Sequence, residues 1–147
     1  RDLGDIVKGF IEDNYAVTIE TNGTRYMNMP GAFMSISPKL KSSYPLDGTS
    51  WVLHTKNNKF IEAISQYIKT NDYQLKFVVN SKKDIKEVLR VTDSLRVPND
   101  KIYLMPQGIT KEQFKERQKD IFDLCIEYGF NYTPRLHIDI WGNKRGT

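Results

Sequence analysis

Hydrophobic positions along the chain alternate between helical spacing and short β-branched runs. Stripes at i, i+3 and i+4 predict helices near residues 3–11, 59–69, 85–91 and 111–128. Asn80 or Ser81 can cap the third of these helices, Thr110 is the predicted cap of the fourth, and Gly129 is its predicted stop. Apolar runs between them predict strands near 16–20, 33–37, 74–79 and 101–105. Strands that alternate with helices of this length are typical of βαβ units. The pattern predicts one α/β unit over residues 1–147 with mostly parallel strands.

The tail carries a different periodicity. Leu136, Ile138 and Ile140 alternate with polar or aromatic residues between Arg135 and Trp141. Period two predicts a strand with one packed face and one face that is free to line a pocket, and His137 lies on the second face. A glycine-bracketed basic segment then runs to Thr147. The same pattern also fits an edge strand with a solvated end.

Polar residues follow the first two predicted strands. Parallel α/β folds bind ligands at the carboxyl ends of their strands, so these residues are candidate ligands. Thr21, Asn22 and Gly23 follow the first strand, although a hairpin turn at Asn22-Gly23 explains the glycine equally well. Ser37-Pro38-Lys39 follows the second strand. Its hydroxyl and ammonium groups, held by a rigid proline, suit a carboxylate or a ribose, and a solvent-facing lysine after a turn is the alternative.

Two later positions complete the candidates. Gln107 follows the fourth predicted strand, between Pro106 and Gly108, where its amide could hydrogen-bond a nucleobase edge. A loop held by proline and glycine is an equal alternative. His137 is the one tail residue suited to acid, base or hydrogen-bonding work, although a lone histidine is more often structural.

Composition limits the possible functions. The net charge of +4 comes from basic residues that are interleaved with acids on predicted helices, which indicates solvated faces rather than a nucleic-acid surface and is consistent with an anionic small molecule. The sequence lacks an apolar run long enough for a membrane span and an apolar signal-peptide core, so we expect a cytoplasmic protein with no membrane partner. The lone Cys125 excludes an internal disulfide and a multi-thiolate metal site within this chain, and its place in a helical stripe predicts a core position.

Five ordered segments, at 17–24, 35–39, 75–79, 104–108 and 135–146, resemble the 7-carboxy-7-deazaguanine synthases. These are radical S-adenosylmethionine (SAM) enzymes of the queuosine pathway. The resemblance implies the C-terminal portion of a partial (β/α) barrel of the radical SAM type. It also implies a homodimer for the full-length protein.

The family reaction is a radical ring contraction of 6-carboxy-5,6,7,8-tetrahydropterin to 7-carboxy-7-deazaguanine with loss of ammonia. A reduced [4Fe-4S] cluster cleaves SAM to start it, and Mg²⁺ assists. The resemblance implies that SAM contacts Gly23, Ser37, Pro38, Lys39 and Gln107. It implies that the pterin contacts Thr21, His137 and Thr147.

The family holds its cluster with a Cys-x-x-x-Cys-x-x-Cys loop, and this sequence lacks one. We therefore expect the chain to be the C-terminal part of a longer protein, with the cluster and Mg²⁺ ligands in the other part, or else a split or degenerate relative. Alone, it should be inactive. A non-catalytic α/β module that binds a nucleotide or an anionic metabolite is the alternative function, and a structural half-barrel stable only beside another chain is a third.

Overall fold

A computed structural model describes residues 2–43 and 59–144. The described strands are β1 (Thr18–Thr21), β2 (Phe33–Ile36), β3 (Tyr73–Val79), β4 (Ile102–Pro106) and β5 (Asn131–Tyr132). The described helices are α1 (Leu3–Glu12), α2 (Lys59–Thr70), α3 (Ile85–Leu95), α4 (Lys111–Tyr128) and α5 (Leu136–Trp141). Short 3₁₀ turns lie at Lys41–Ser43, Lys82–Asp84 and Asn99–Lys101.

The five strands form one all-parallel sheet in the order β1-β2-β3-β4-β5. Thr21 of β1 is in register with Ile36 of β2, and Ile36 with Leu75 of β3. A helix lies between each later pair of successive strands, because a parallel pair needs a long crossover, whereas β1 and β2 are joined by residues 22–32 without a helix. This architecture confirms the α/β prediction with parallel strands, and it is consistent with a portion of a partial (β/α) barrel.

Within the sheet the chain divides into two compact units, with the boundary inside β3. The first unit contains the described residues 2–38 and 59–75. Its core includes Met34 and Ile36 of β2, Ile64 of α2 and Leu75 of β3, all fully buried. Such burial contributes roughly 1.5 to 3 kcal/mol for each large apolar side chain. The hydrophobic stripe of α2 and the predicted second strand therefore meet as their periodicities indicate.

The second unit contains residues 39–43 and 76–144 of the described chain. Phe77 of β3, Leu104 of β4, Val88 of α3 and Phe114 of α4 are buried there. Along β3, buried residues alternate with half-buried ones, as expected for a strand inside a sheet. The prediction that residues 1–147 form a single unit stays a prediction.

The predicted ends of α4 are confirmed. The Thr110 hydroxyl accepts a hydrogen bond from the Gln113 amide at 3.3 Å, which caps the first turn. Gly129, with φ of 68°, ends the helix in the left-handed region. No helix in the described ranges is long and apolar enough to cross a membrane.

One sequence prediction is wrong, and one alternative is excluded. Residues 136–141 form helix α5 rather than a strand, and the last strand is Asn131–Tyr132, which pairs with β4. Only Ile138 of the three alternating apolar residues is buried, whereas Leu136 and Ile140 are 63% and 60% exposed. The hairpin at Asn22-Gly23 is excluded as well, because β1 pairs with β2 in parallel.

Arg96 ends α3 in the left-handed region, with φ of 53° and ψ of 44°. A non-glycine residue is strained there. We expect Arg96→Gly to raise the free energy of unfolding by about 0.5 to 1 kcal/mol, measured by urea denaturation. Arg90→Gly, in the exposed interior of the same helix, is the matched control and should lower it by about 1 kcal/mol. Destabilisation by both substitutions would contradict the strain at Arg96.

Candidate functional site

The end of β1 is a tight polar turn in the first unit. The Thr21 hydroxyl accepts a hydrogen bond from the Gly23 amide at 3.1 Å, and the Asn22 side-chain oxygen accepts two from Thr24. The Thr21 carbonyl accepts a 2.7 Å hydrogen bond from the Ser37 amide just after β2. Thr21, Gly23 and Ser37 therefore lie together at adjacent strand ends, and Pro38 follows, buried.

Gly23 is fixed by both its backbone and its surroundings. Its φ is +72°, a region that favours glycine. A Cβ at this position would lie 2.7 Å from Cγ1 of Ile64 and 3.0 Å from Cγ2 of Ile36. Packing and conformation thus require a glycine here, and its predicted SAM contact stays a prediction.

The second unit contains an open cavity of about 570 Å³. Its walls are formed by residues that follow β2, β3 and β4, by Val78 of β3, by α4 and by the residue before α5. Among the polar and cationic residues that line it are Lys39, Ser42, Asn80, Gln107, Arg117 and Arg135. Of the described residues, none that lines it carries a carboxylate. Such a donor-rich, cationic wall suits a ligand with an anionic group and several acceptor atoms.

The segment that carries Lys39 is held against the start of α3. The Lys41 amide donates to a carboxylate oxygen of Glu87 at 3.0 Å. The Ser42 hydroxyl donates at 3.0 Å to Oδ2 of Asp84, which also accepts from the Asn80 amide at 2.8 Å. Asp84 thereby joins the residues after β2 to the residues after β3. Lys39 itself is exposed.

The loop after β4 is fixed by its backbone. The Gln107 amide donates to the Val79 carbonyl at 2.8 Å, and the Ile109 amide donates to the side-chain oxygen of Gln113 at 3.0 Å. Nε of Arg117 donates to the side-chain oxygen of Asn80 at 3.0 Å. Lys39 and Gln107, for which the family resemblance implies SAM contacts, line the same cavity.

Of the two tail candidates, the structure describes only His137. His137 lies exposed on α5 and is not among the lining residues in the described part of the chain. Thr147 lies outside the described residues. The pterin contacts of Thr21, His137 and Thr147 stay predictions.

The residues of this chain do not fit an iron–sulfur cluster. Cys125, the one cysteine of the sequence, is buried in α4, where its thiol donates to the Asn131 carbonyl at 3.4 Å. Burial raises the pKa of the thiol to about 11, so it is protonated at neutral pH and is a poor ligand. The predicted core position of Cys125 is confirmed. Across residues 2–43 and 59–144, no group of three or more His, Cys, Asp or Glu residues could hold a metal ion.

Sequence reasoning missed three of the cavity residues. Asn80 was predicted only as a possible helix cap, although Ser81 performs that function, with its hydroxyl accepting from the Lys83 amide. Arg117 lies in a mixed-charge run that predicts a solvated face, and Arg135 precedes the tail. The contact between Arg117 and Asn80 joins residues 37 positions apart, so no local pattern reveals it.

Several curated proteins align with most of the chain. It is 32% identical to the 7-carboxy-7-deazaguanine synthase of Halobacterium salinarum in an alignment of length 146 that covers 90% of this chain and 57% of the relative. It is 35% identical to the enzyme of the same name from Rhodopirellula baltica over 136 residues, 89% of this chain and 52% of that protein. A shorter match, 41% over 71 residues, is to the synthase of Pyrobaculum aerophilum, with 48% of this chain and 32% of the relative covered.

No family model matches the chain, and no solved structure matches it. The chain spans about half the length of the first two of these relatives. At about 90% coverage of this chain, the two alignments include parts of both structural units. The chain is therefore related, over about nine-tenths of its length, to the 7-carboxy-7-deazaguanine synthases.

Proposed function

We propose that these residues form the SAM- and substrate-binding part of a 7-carboxy-7-deazaguanine synthase. In this proposal the enzyme contracts 6-carboxy-5,6,7,8-tetrahydropterin to 7-carboxy-7-deazaguanine with loss of ammonia, and the complete enzyme is a homodimer. The observation that carries the proposal is the cavity that brings Lys39 and Gln107 together. The names of the relatives supply the reaction class.

The cavity residues suit the chemistry of SAM. An ammonium group such as that of Lys39 forms a charge-assisted hydrogen bond with a carboxylate, and SAM has one on its methionyl part. The side-chain amide of Gln107 both donates and accepts hydrogen bonds, which matches the edge of an adenine ring. These side chains would bind and orient SAM, whose reductive cleavage next to a cluster supplies a 5′-deoxyadenosyl radical.

Four further ligand contacts in this proposal come from residues of the first unit. Thr21 contacts the pterin, while Gly23, Ser37 and Pro38 contact SAM. The Thr21–Gly23 turn is preorganised by its own hydrogen bond at 3.1 Å, so binding does not have to order it. His137 and Thr147 contribute from the tail. The cluster and the Mg²⁺ would take their ligands from sequence outside these 147 residues, since the single buried Cys125 does not fit a cluster.

The test is turnover by the longer polypeptide of this proposal. After anaerobic reconstitution with iron and sulfide, it should convert 6-carboxy-5,6,7,8-tetrahydropterin to 7-carboxy-7-deazaguanine in the presence of SAM and dithionite, as followed by mass spectrometry. Formation of 5′-deoxyadenosine without the deazapurine would contradict the proposed pterin substrate. Binding of a nucleotide with no 5′-deoxyadenosine at all would favour a non-catalytic module.

The 147-residue chain is the matched control in that experiment. We expect it to hold no stoichiometric [4Fe-4S] cluster and to leave SAM uncleaved, because one buried cysteine cannot replace three thiolate ligands. Iron and sulfide assays of the reconstituted chain measure this directly. Four irons and four sulfides per chain would overturn the expectation.

A further inference from the structure

Arg135 is the residue before α5, and its side chain contacts β4 and the loop that follows it. Its Nη1 donates to the Gly108 carbonyl at 3.0 Å, and its Nε lies 3.4 Å from Sδ of Met105. Gly108 is buried, with an ideal Cβ position 3.3 Å from Phe114. The guanidinium therefore reaches a backbone group that has little room to move, and a planar two-nitrogen contact is one that lysine cannot reproduce.

The same loop is held at three consecutive residues. The amides of Gln107 and Ile109 are bound by Val79 of β3 and Gln113 of α4, and the carbonyl of Gly108 is bound by Arg135. The first two contacts come from elements next to β4 in the fold. The third comes from the chain segment that leads into α5 and His137. Arg135 is thus the side chain in the described residues that connects this segment to the Gln107 loop by hydrogen bonds.

These contacts do not neutralise the positive charge of Arg135. Its two hydrogen-bond partners are a neutral carbonyl and a thioether, and in the described part of the chain it forms no ion pair. It also lines the cavity together with Lys39 and Gln107. A guanidinium in this position both fixes the loop and contributes positive potential to the cavity.

We infer that Arg135 is a positioning residue that holds the Gln107 loop in its ligand-binding conformation and ties α5 to that loop. The inference rests on the proposed function for the identity of the ligand. The contact geometry gives the loop a conformation that exists before ligand arrives. Loss of the guanidinium should therefore weaken binding without removing any group assigned to SAM itself.

The test compares Arg135→Gln and Arg135→Lys in the full polypeptide. We expect Arg135→Gln to raise the KM for SAM about tenfold, the factor that corresponds to one lost charged hydrogen bond, with a smaller change in kcat. Amide hydrogen exchange at residues 107–109 should accelerate by a similar factor. Arg135→Lys keeps the charge but loses the two-nitrogen geometry, so it should restore binding only in part. Arg90→Gln, on the exposed face of α3, is the matched control and should change neither measurement.

The outcomes separate this inference from the proposed function. A lower melting temperature with an unchanged KM and unchanged exchange at residues 107–109 would assign Arg135 a purely structural role and overturn the inference. If the wild-type protein binds no SAM, the proposed function fails. The exchange comparison still decides whether Arg135 holds the loop, because it requires no ligand.

Discussion

Replacement of Gly23 by alanine is expected to lower the free energy of unfolding by about 3 kcal/mol. Two separate costs add at this position. A left-handed backbone costs a non-glycine residue roughly 1 to 2 kcal/mol. Overpacking costs about 1 to 3 kcal/mol more, because the new Cβ would lie 2.7 Å from Ile64 and 3.0 Å from Ile36. Both isoleucines are fully buried and have little freedom to yield.

Denaturation in urea, monitored by circular dichroism, measures this effect. Gly9→Ala is the matched control, because Gly9 lies in α1 and an added Cβ there has no neighbour within 4 Å. That substitution should raise stability by about 0.5 to 1 kcal/mol through helix propensity. A Gly23→Ala chain within about 0.5 kcal/mol of the wild type, the usual range for neutral surface changes, would show that Ile64 and Ile36 can move aside.

The repeating elements of this fold could be predicted from sequence because their patterns are long. The stripe of α4 extends through four buried residues from Phe114 to Cys125, so its period is unambiguous. β3 is likewise bounded by polar residues and alternates along its seven residues. A parallel sheet followed from the alternation of such segments, and with it the expectation that polar residues at strand ends are candidate ligands.

The tail was predicted as a strand because six residues are too few to separate a period of 2 from a period of 3.6. Leu136, Ile138 and Ile140 satisfy strand alternation, yet the edge of β4 is already paired by Asn131 and Tyr132. The Ile138 and Asp139 amides bond to the Arg135 carbonyl instead, which starts α5. Tertiary pairing, rather than local propensity, decides this segment.

Only some of the cavity residues could be predicted from the sequence, because tertiary contacts bring in the others. Lys39 and Gln107 lie within three residues of the ends of β2 and β4, where parallel folds place ligand-binding residues. Arg117 and Arg135 enter the cavity from a helix and from the residue before a helix, and no rule of spacing places them there. Their contacts, to Asn80 and Gly108, span 37 and 27 positions. Only the folded chain brings them together.

Replacement of Lys39 by alanine in the longer polypeptide is expected to weaken SAM binding by about 1 to 3 kcal/mol, or about 5- to 150-fold in Kd. Lys39 is exposed and lines the cavity, and its chain segment is held by the hydrogen bonds of Lys41 to Glu87 and of Ser42 to Asp84. Truncation removes the charge and leaves those contacts in place. The loss should shrink as salt is raised, because an exposed charge is screened over roughly 8 to 10 Å at physiological ionic strength.

Isothermal titration calorimetry with SAM at two salt concentrations measures both effects. Lys86→Ala is the matched control: it removes the same charge from an exposed position on α3 outside the cavity lining. If the two variants lose the same small amount of affinity, the effect of Lys39 is that of net charge alone. If Lys39→Ala binds SAM as the wild type does, the carboxylate is bound elsewhere, and Arg117 becomes the cationic group to truncate next. A loss of SAM affinity in Lys39→Ala but not in Lys86→Ala would place the anionic end of the ligand beside the residues that follow β2.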